Sequence, residues 1–331
     1  MEEIELFIET IRTTKEPSAV AIIVDIEGSS YRKEGAWMVF TEGSEPLGMI
    51  SGGCLENDLQ SRAKQLFNTG KTELFSYDLS SEDDMGWGRG AGCNGIVHVL
   101  LRGVDEQFKQ ALKPVLDSLR QKKPVLMIQS MENFSHYTFS SEIKDDFGFW
   151  EKENDPEWFA TKSFEKVVGQ RQFGTKKYFI QLIWPKSHLY VFGAGIDARP
   201  LANIASDAGF AVHIVDWREA LCQKNHFKNV DTVTLTTKEH LLKKVKLSPI
   251  DAVVVMTHDF EIDQHLVNEL QQEKLLYFGI LGTKKRTERL VKTGTKTSIR
   301  TPVGLPIGAD GPVEIAISIV SELIAVKRGK V

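Results

Sequence analysis

Residues 188–219 read HLYVFGAGIDARPLANIASDAGFAVHIVDWRE. The apolar run Leu189–Phe192 predicts a strand, the glycines a turn, and the residues from Ala198 a helix. Ala211–Val215 predicts a second strand, which ends in Asp216. Gly193-Ala-Gly195-Ile-Asp-Ala198 fits the pattern G-x-G-x-x-A. In that pattern the first glycine permits the tight turn and the second lets a pyrophosphate approach the backbone. The small third residue lets the helix pack closely on the sheet. The helix N-terminus then offers unpaired N–H groups to phosphate oxygens. Asp216 follows Gly193 by 23 residues, where an acid ordinarily takes a ribose 2′-hydroxyl. The same glycines also suit a turn that only packs a helix on its strand, and this kind of fold hosts many unrelated functions. Arg218 stands where a 2′-phosphate would lie, but the charge of Asp216 opposes a phosphate there. The unphosphorylated nicotinamide dinucleotide is the form to expect if one binds.

Working outward, strand-like runs recur at Asp251–Met256 and Leu276–Ile280, with helix-like stretches between them and at Val313–Val326. This alternation predicts a doubly wound parallel sheet, a Rossmann-like C-terminal domain over residues 187–331. The N-terminal residues 1–103 read as a mixed α/β domain. A helix is expected after Ile4, strands at Ala19–Ile26, Trp37–Phe40, Thr72–Leu79 and Ile96–Leu101, and a helix over Leu55–Phe67 that stops at Gly70. Residues 104–186 show a helix at Gln107–Arg120 and strands at Pro124–Gln129 and Tyr178–Trp184. Aromatic and charged residues mix between those strands without a period, and this stretch reads as an irregular extension with a hairpin or two.

Composition narrows the function classes. With 331 residues the chain is long enough for about two domains. Its 41% hydrophobic and 26% charged residues exclude disorder as the dominant state. A net charge of −4 gives no general footprint for nucleic acid or an anionic membrane. The acidic, amphipathic start lacks the features of a signal peptide, and no apolar run reaches the ~20 residues of a membrane span. Three scattered cysteines, Cys54, Cys93 and Cys222, do not make a disulfide framework, so a cytoplasmic setting is expected.

Two of those cysteines lie in glycine turns. Ser51-Gly52-Gly53-Cys54-Leu55-Glu56 places a thiol between a turn and a helix start, where backbone N–H groups favour a thiolate. Gly90-Ala-Gly92-Cys93-Asn94-Gly95 places another just before a strand. Two such thiols in one domain suit soft chemistry: a thiolate-loving metal, sulfur transfer or a dithiolene cofactor. Zinc spacing is absent, and both thiols also suit small buried hydrophobes. Cys222, on an expected helix after Asp216, reads as packing. His258, with Asp259, follows a strand at the carboxyl end where open sheets bind ligands. Gly282, Lys284 and the neighbouring cations follow the next strand and suit a phosphate.

Several strings occur together in order: GSSYRKEGA (28–36), GMISGGCLE (48–56), GWGRGAGCNG (86–95), the turn at 193, THD (257–259), GILGTKKR (279–286) and GLPIGA (304–309). As a set they resemble the XdhC/CoxI family, accessory proteins of molybdenum hydroxylases such as xanthine dehydrogenase. The resemblance covers both ends of the chain and leaves about eighty middle residues unmatched. It implies a chaperone that binds the molybdenum cofactor, assists its sulfuration and aids its insertion into a hydroxylase apoenzyme. A cysteine desulfurase is an implied partner, and a homodimer is expected. Cys93 matches the cysteine of the family's G-x-G-C-G-G loop, with Asn94 in place of glycine. Cys54 matches that of G-G-G-C-x-E, with Ser51 in place of glycine and Glu56 as the acid. The expected cofactor contacts are Gly52, Gly53, Cys54, Glu56, Gly92, Cys93 and Gly95 in the first domain. In the last they are Gly193, Gly195, Asp216, His258, Gly282 and Lys284. No protein-ligated metal site is expected; the cysteines would touch the cofactor's molybdenum or sulfur. Two other readings stand beside this one. One is an NAD-dependent oxidoreductase that uses the Gly193 turn and Asp216, with His258 as acid or base. The other is a docking protein that binds the hydroxylase and retains no cofactor.

Overall fold

The computed structural model describes residues 4–79, 95–141, 147–150, 168–291 and 298–331. The chain divides into two compact units, Met1–Pro185 and Lys186–Val331.

The first unit begins with α1 (Ile4–Thr13), whose Ile4, Phe7, Ile8 and Ile11 are buried at helical spacing. Then come β1 (Ser18–Gly28), β2 (Trp37–Thr41), β3 (Leu47–Gly48), α2 (Glu56–Leu66), β4 (Thr72–Asp78) and β5 (Gly95–Gly103). The five strands form an antiparallel sheet in the order β3-β2-β1-β5-β4. The unbroken apolar run of β1 has a simple cause, which is that both faces of the strand are covered. Val20, Ile22 and Val24 enter a core shared with α1, while Ala19, Ala21 and Ile23 enter one shared with α2.

The described residues of 104–186 form more regular structure than a hairpin or two. After α3 (Glu106–Arg120) come β6 (Val125–Ser130), β7 (Tyr137–Ser141), β8 (Phe147–Phe149), β9 (Val168–Phe173) and β10 (Lys176–Ile183). They form a second antiparallel sheet, β8-β7-β6-β10-β9. The alternation that marks a half-buried strand is missing because β7 is buried throughout, polar Thr138, Ser140 and Ser141 included. Asp105 caps α3 by accepting the Phe108 N–H at 2.8 Å. The two sheets share the core that holds α1 and α3. Gln181, fully buried, ties them: it accepts from Trp37 Nε1 and donates to the Gly35 carbonyl, both at 2.9 Å.

The second unit is the expected α/β layer structure. Its elements are β11 (His188–Phe192), α4 (Ala198–Asp207), β12 (Ala211–Asp216), β13 (Thr232–Leu235), β14 (Ala252–Val255) and α5 (Phe260–Leu270). They continue with β15 (Tyr277–Ile280), α6 (Lys284–Thr287), β16 (Ile299–Arg300) and α7 (Gly311–Lys327). The six strands are parallel, in the order β13-β12-β11-β14-β15-β16. Leu189 and Val191 face the layer holding α4 and α7; Tyr190 and Phe192 face the layer holding α5. The order reverses between β11 and β14, and there the carboxyl ends of an open sheet leave a crevice. Cys222 follows the turn at 219–221 rather than lying on a helix, and it is buried. Between β13 and β14 the chain makes only short 3₁₀ turns.

Candidate functional site

In the first unit the cysteine turn closes around one carboxylate. Glu56, the first residue of α2, folds back on the loop before it. Its Oε1 accepts the N–H groups of Ile50 (3.1 Å), Ser51 (2.8 Å) and Gly52 (3.2 Å). Its Oε2 accepts those of Gly53 (2.9 Å) and Leu55 (3.1 Å), and the Ser51 hydroxyl at 2.5 Å. The wrap needs left-handed backbone at Gly52 (φ +88°) and Gly53 (φ +119°), which glycine adopts without strain. Burial alone would raise the Glu56 carboxyl, but the hydrogen bonds from Ser51 and its neighbours outweigh it and hold the pKa at about 2. The Gly52 and Gly53 amides, expected to face a cofactor, are thus engaged by Glu56 itself. Cys54 follows the two exposed glycines and is half-buried, packed against the core beneath α2. The exposed ring of Tyr31 stands over Gly52.

Gly92 and Cys93 lie outside the described residues. Gly95 opens β5 opposite Gly28. A side chain there would strike the Ser29 backbone at 2.8 Å and the Glu27 carbonyl, so close strand packing accounts for this glycine.

In the second unit the expected residues gather at the carboxyl ends of β11, β12, β14 and β15. Gly193 (φ +121°) turns against the end of β14, where a Cβ would meet Met256 backbone atoms. Ala194 N–H donates to Asp216 Oδ2 at 2.5 Å, which locks the turn to the end of β12. Asp216 is fully buried. Its Oδ1 accepts the Arg218 backbone N–H (2.7 Å) and Nε (3.0 Å), and its Oδ2 accepts Arg218 Nη2 (2.6 Å). Burial would raise this carboxyl, but the Arg218 side chain, the Arg218 backbone and the Ala194 amide together hold it below its usual range. Asp216 therefore braces the turn and pairs with Arg218. Arg218 in turn lies over the Trp217 ring at 4.7 Å, with Lys238 Nζ at 5.2 Å from the same ring.

His258 sits in left-handed backbone (φ +63°), with its side chain 59% exposed and Nε2 2.6 Å from Asp197 Oδ2. That bond spans the crevice from β14 to the start of α4. Asp259 instead caps α5, accepting from Glu261 and Ile262, and Lys238 donates to it at 3.2 Å. Gly282 (φ +145°) packs against Arg286, whose Nη2 donates to buried Asp263 at 2.6 Å. Lys284 is exposed at the start of α6, a helix of four residues. The Cys222 thiol is pushed up to about 11, first by burial and then by the charge of Asp216, which keeps it unreactive.

Asp197 is a site residue that the glycine motif does not mark. An acid two places after Gly195, at a helix start, is the available signal, but the pattern leaves that position open. Among the described residues no group of three or more His, Cys, Asp or Glu side chains is placed to hold a metal ion. None of the described helices is long and apolar enough to cross a membrane.

Comparison with known proteins covers most of the chain. Residues 189–323 match the family described as the XdhC Rossmann domain, and residues 11–78 the XdhC and CoxI family. Residues 106–184 match the BH1974-like central domain. A Bacillus subtilis protein named as a probable xanthine dehydrogenase component is 39% identical over 322 residues, 97% of this chain and 96% of its own. The molybdenum cofactor insertion chaperone PaoD of Escherichia coli is 24% identical over 319 residues, 94% of this chain and 83% of its own. A crystal structure from Bacillus halodurans, described as a xanthine dehydrogenase, superposes with a TM-score of 0.88 at 40% identity. It covers 100% of this chain and 97% of that one.

Proposed function

The chain belongs to the XdhC and CoxI family, and from that membership we propose that it matures molybdenum hydroxylases of the xanthine dehydrogenase type. In this reading it binds the molybdenum cofactor as cargo and helps insert it into the apoenzyme, rather than turning over a substrate. The observation that carries the reading is the near end-to-end likeness to PaoD, a protein named for cofactor insertion. The Bacillus subtilis relative, named for xanthine dehydrogenase, supports the choice of client.

Cys54 is the described side chain suited to the cargo. A soft sulfur fits molybdenum and its dithiolene, and the Glu56-braced turn fixes where that sulfur stands. Cys93 is assigned the same role on the sequence. The cargo supplies the molybdenum–sulfur chemistry; this chain holds it, shields it from water and hands it on. Sulfuration of the bound cofactor, with a cysteine desulfurase as sulfur donor, belongs to the proposal, as does a homodimer acting in the cytoplasm.

The test is reconstitution. A xanthine-oxidising apoenzyme is mixed with molybdenum cofactor in the presence and absence of this chain. Faster or fuller recovery of activity with the chain is expected. Equal recovery with cofactor alone would count against a maturation role.

The crevice of the second unit does not favour the oxidoreductase reading. Asp216, which a dinucleotide ribose would need, is fully buried and bonded to Ala194 and Arg218.

A further inference from the structure

A dinucleotide bound in this crevice would rest its pyrophosphate on Gly195 and the first turn of α4. That space holds a carboxylate of the chain itself. A Cβ built on Gly195 would come within 2.5 Å of Asp197 Oδ1, and Gly195 is buried. The glycine thus leaves room for Asp197 in the place where the motif leaves room for a phosphate. Asp197 occupies the N-cap position of α4 yet makes no side-chain cap bond. Its Oδ2 is held at 2.6 Å by His258 Nε2, and only 15% of its side chain is exposed. His258 reaches it from left-handed backbone (φ +63°), a conformation that the surrounding turn must impose.

We propose that Asp197 is a specificity-determining residue that closes this Rossmann crevice to pyrophosphate-bearing dinucleotides. A negative charge fixed at the turn opposes the phosphate charges that the helix N-terminus would otherwise attract. His258 is bonded to that carboxylate, but the charge is Asp197's own. The inference goes beyond the maturation reading and stands or falls without any molybdenum cofactor.

Calorimetry and thermal shift with NAD⁺ and with inorganic pyrophosphate test it on the full chain. The wild type is expected to bind neither at about 1 mM. Asp197→Ser removes the carboxylate and uncovers the helix start. It is expected to gain affinity for both probes by about tenfold or more. Asp197→Asn keeps the shape and a partner for His258, so it serves if the serine variant does not fold, and it should gain as well. His258→Ala leaves the charge in place and should gain nothing. Three results would overturn the proposal. One is wild-type binding of NAD⁺ as tight as that of the variants. A second is folded Asp197 variants that still bind neither probe. The third is a gain in His258→Ala equal to that in Asp197→Asn.

Discussion

The Glu56 carboxylate gathers the amides of Ile50, Ser51, Gly52, Gly53 and Leu55, so its removal leaves a ring of donors facing one another. Glu56→Ala is expected to cost about 1–2 kcal/mol in denaturant unfolding, after allowance for solvent screening of a half-exposed group. The pH dependence has a definite sign. The folded carboxyl is held at about 2 against an ordinary 4.5, so the folded state binds fewer protons than the unfolded one. The stabilisation is full above 4.5, fades as the pH falls, and is gone once the pH passes through about 2. The gap between wild type and Glu56→Gln should shrink over that window; a gap undiminished at pH 2 would contradict the assignment. Asp216 poses a harder case because it is fully buried. Arg218→Ala removes the countercharge of that carboxylate and leaves it only the Ala194 and residue-218 amides, and a loss of about 3 kcal/mol is expected in thermal or denaturant unfolding. The glycines of both turns were legible in the sequence because tight backbone demands them. The groups that fill the turns were not. A glycine turn fixes backbone geometry and is silent on whether a ligand or a carboxylate of the chain, Asp216 in one turn and Glu56 in the other, receives the donors.

At the scale of elements, Gln181 carries the join between the two antiparallel sheets of the first unit. Gln181→Leu keeps the volume but leaves Trp37 Nε1 and the Gly35 carbonyl without their partner. A loss of about 2–3 kcal/mol is expected, and one under ~0.5 kcal/mol would show that water replaces the side chain at no cost. The same residues explain why the second sheet escapes a reading by period. β6, β7 and β10 bury Gln129, Thr138, Ser140, Ser141 and Gln181 beside their apolar residues, so polarity and exposure do not alternate together. The parallel sheet is legible for the opposite reason. Ala252–Val255 is apolar because both of its faces are covered, one by the α4 and α7 layer and one by that of α5. Its edge strands, Thr232–Leu235 and Ile299–Arg300, are short and half-exposed and give little signal.

At the scale of the molecule, each unit owns a hydrophobic core. Residues 186–331 expressed alone are therefore expected to unfold cooperatively in denaturant; a fragment lacking a cooperative transition would show that this unit depends on residues 1–185. The two glycine turns share a design, since in each the chain's own carboxylate meets donors that a ligand would otherwise use. In the proposed maturation role, the sulfur of Cys54, with Cys93 assigned by sequence, is what the first unit would offer a cargo. The most direct measurement is retention of molybdenum cofactor on gel filtration, followed by cofactor absorbance in the protein peak. The wild-type chain is expected to carry the cofactor through the column, and Cys54→Ala and Cys93→Ala to lose it while remaining folded. A wild type that emerges without cofactor, or alanine variants that retain it undiminished, would contradict the account.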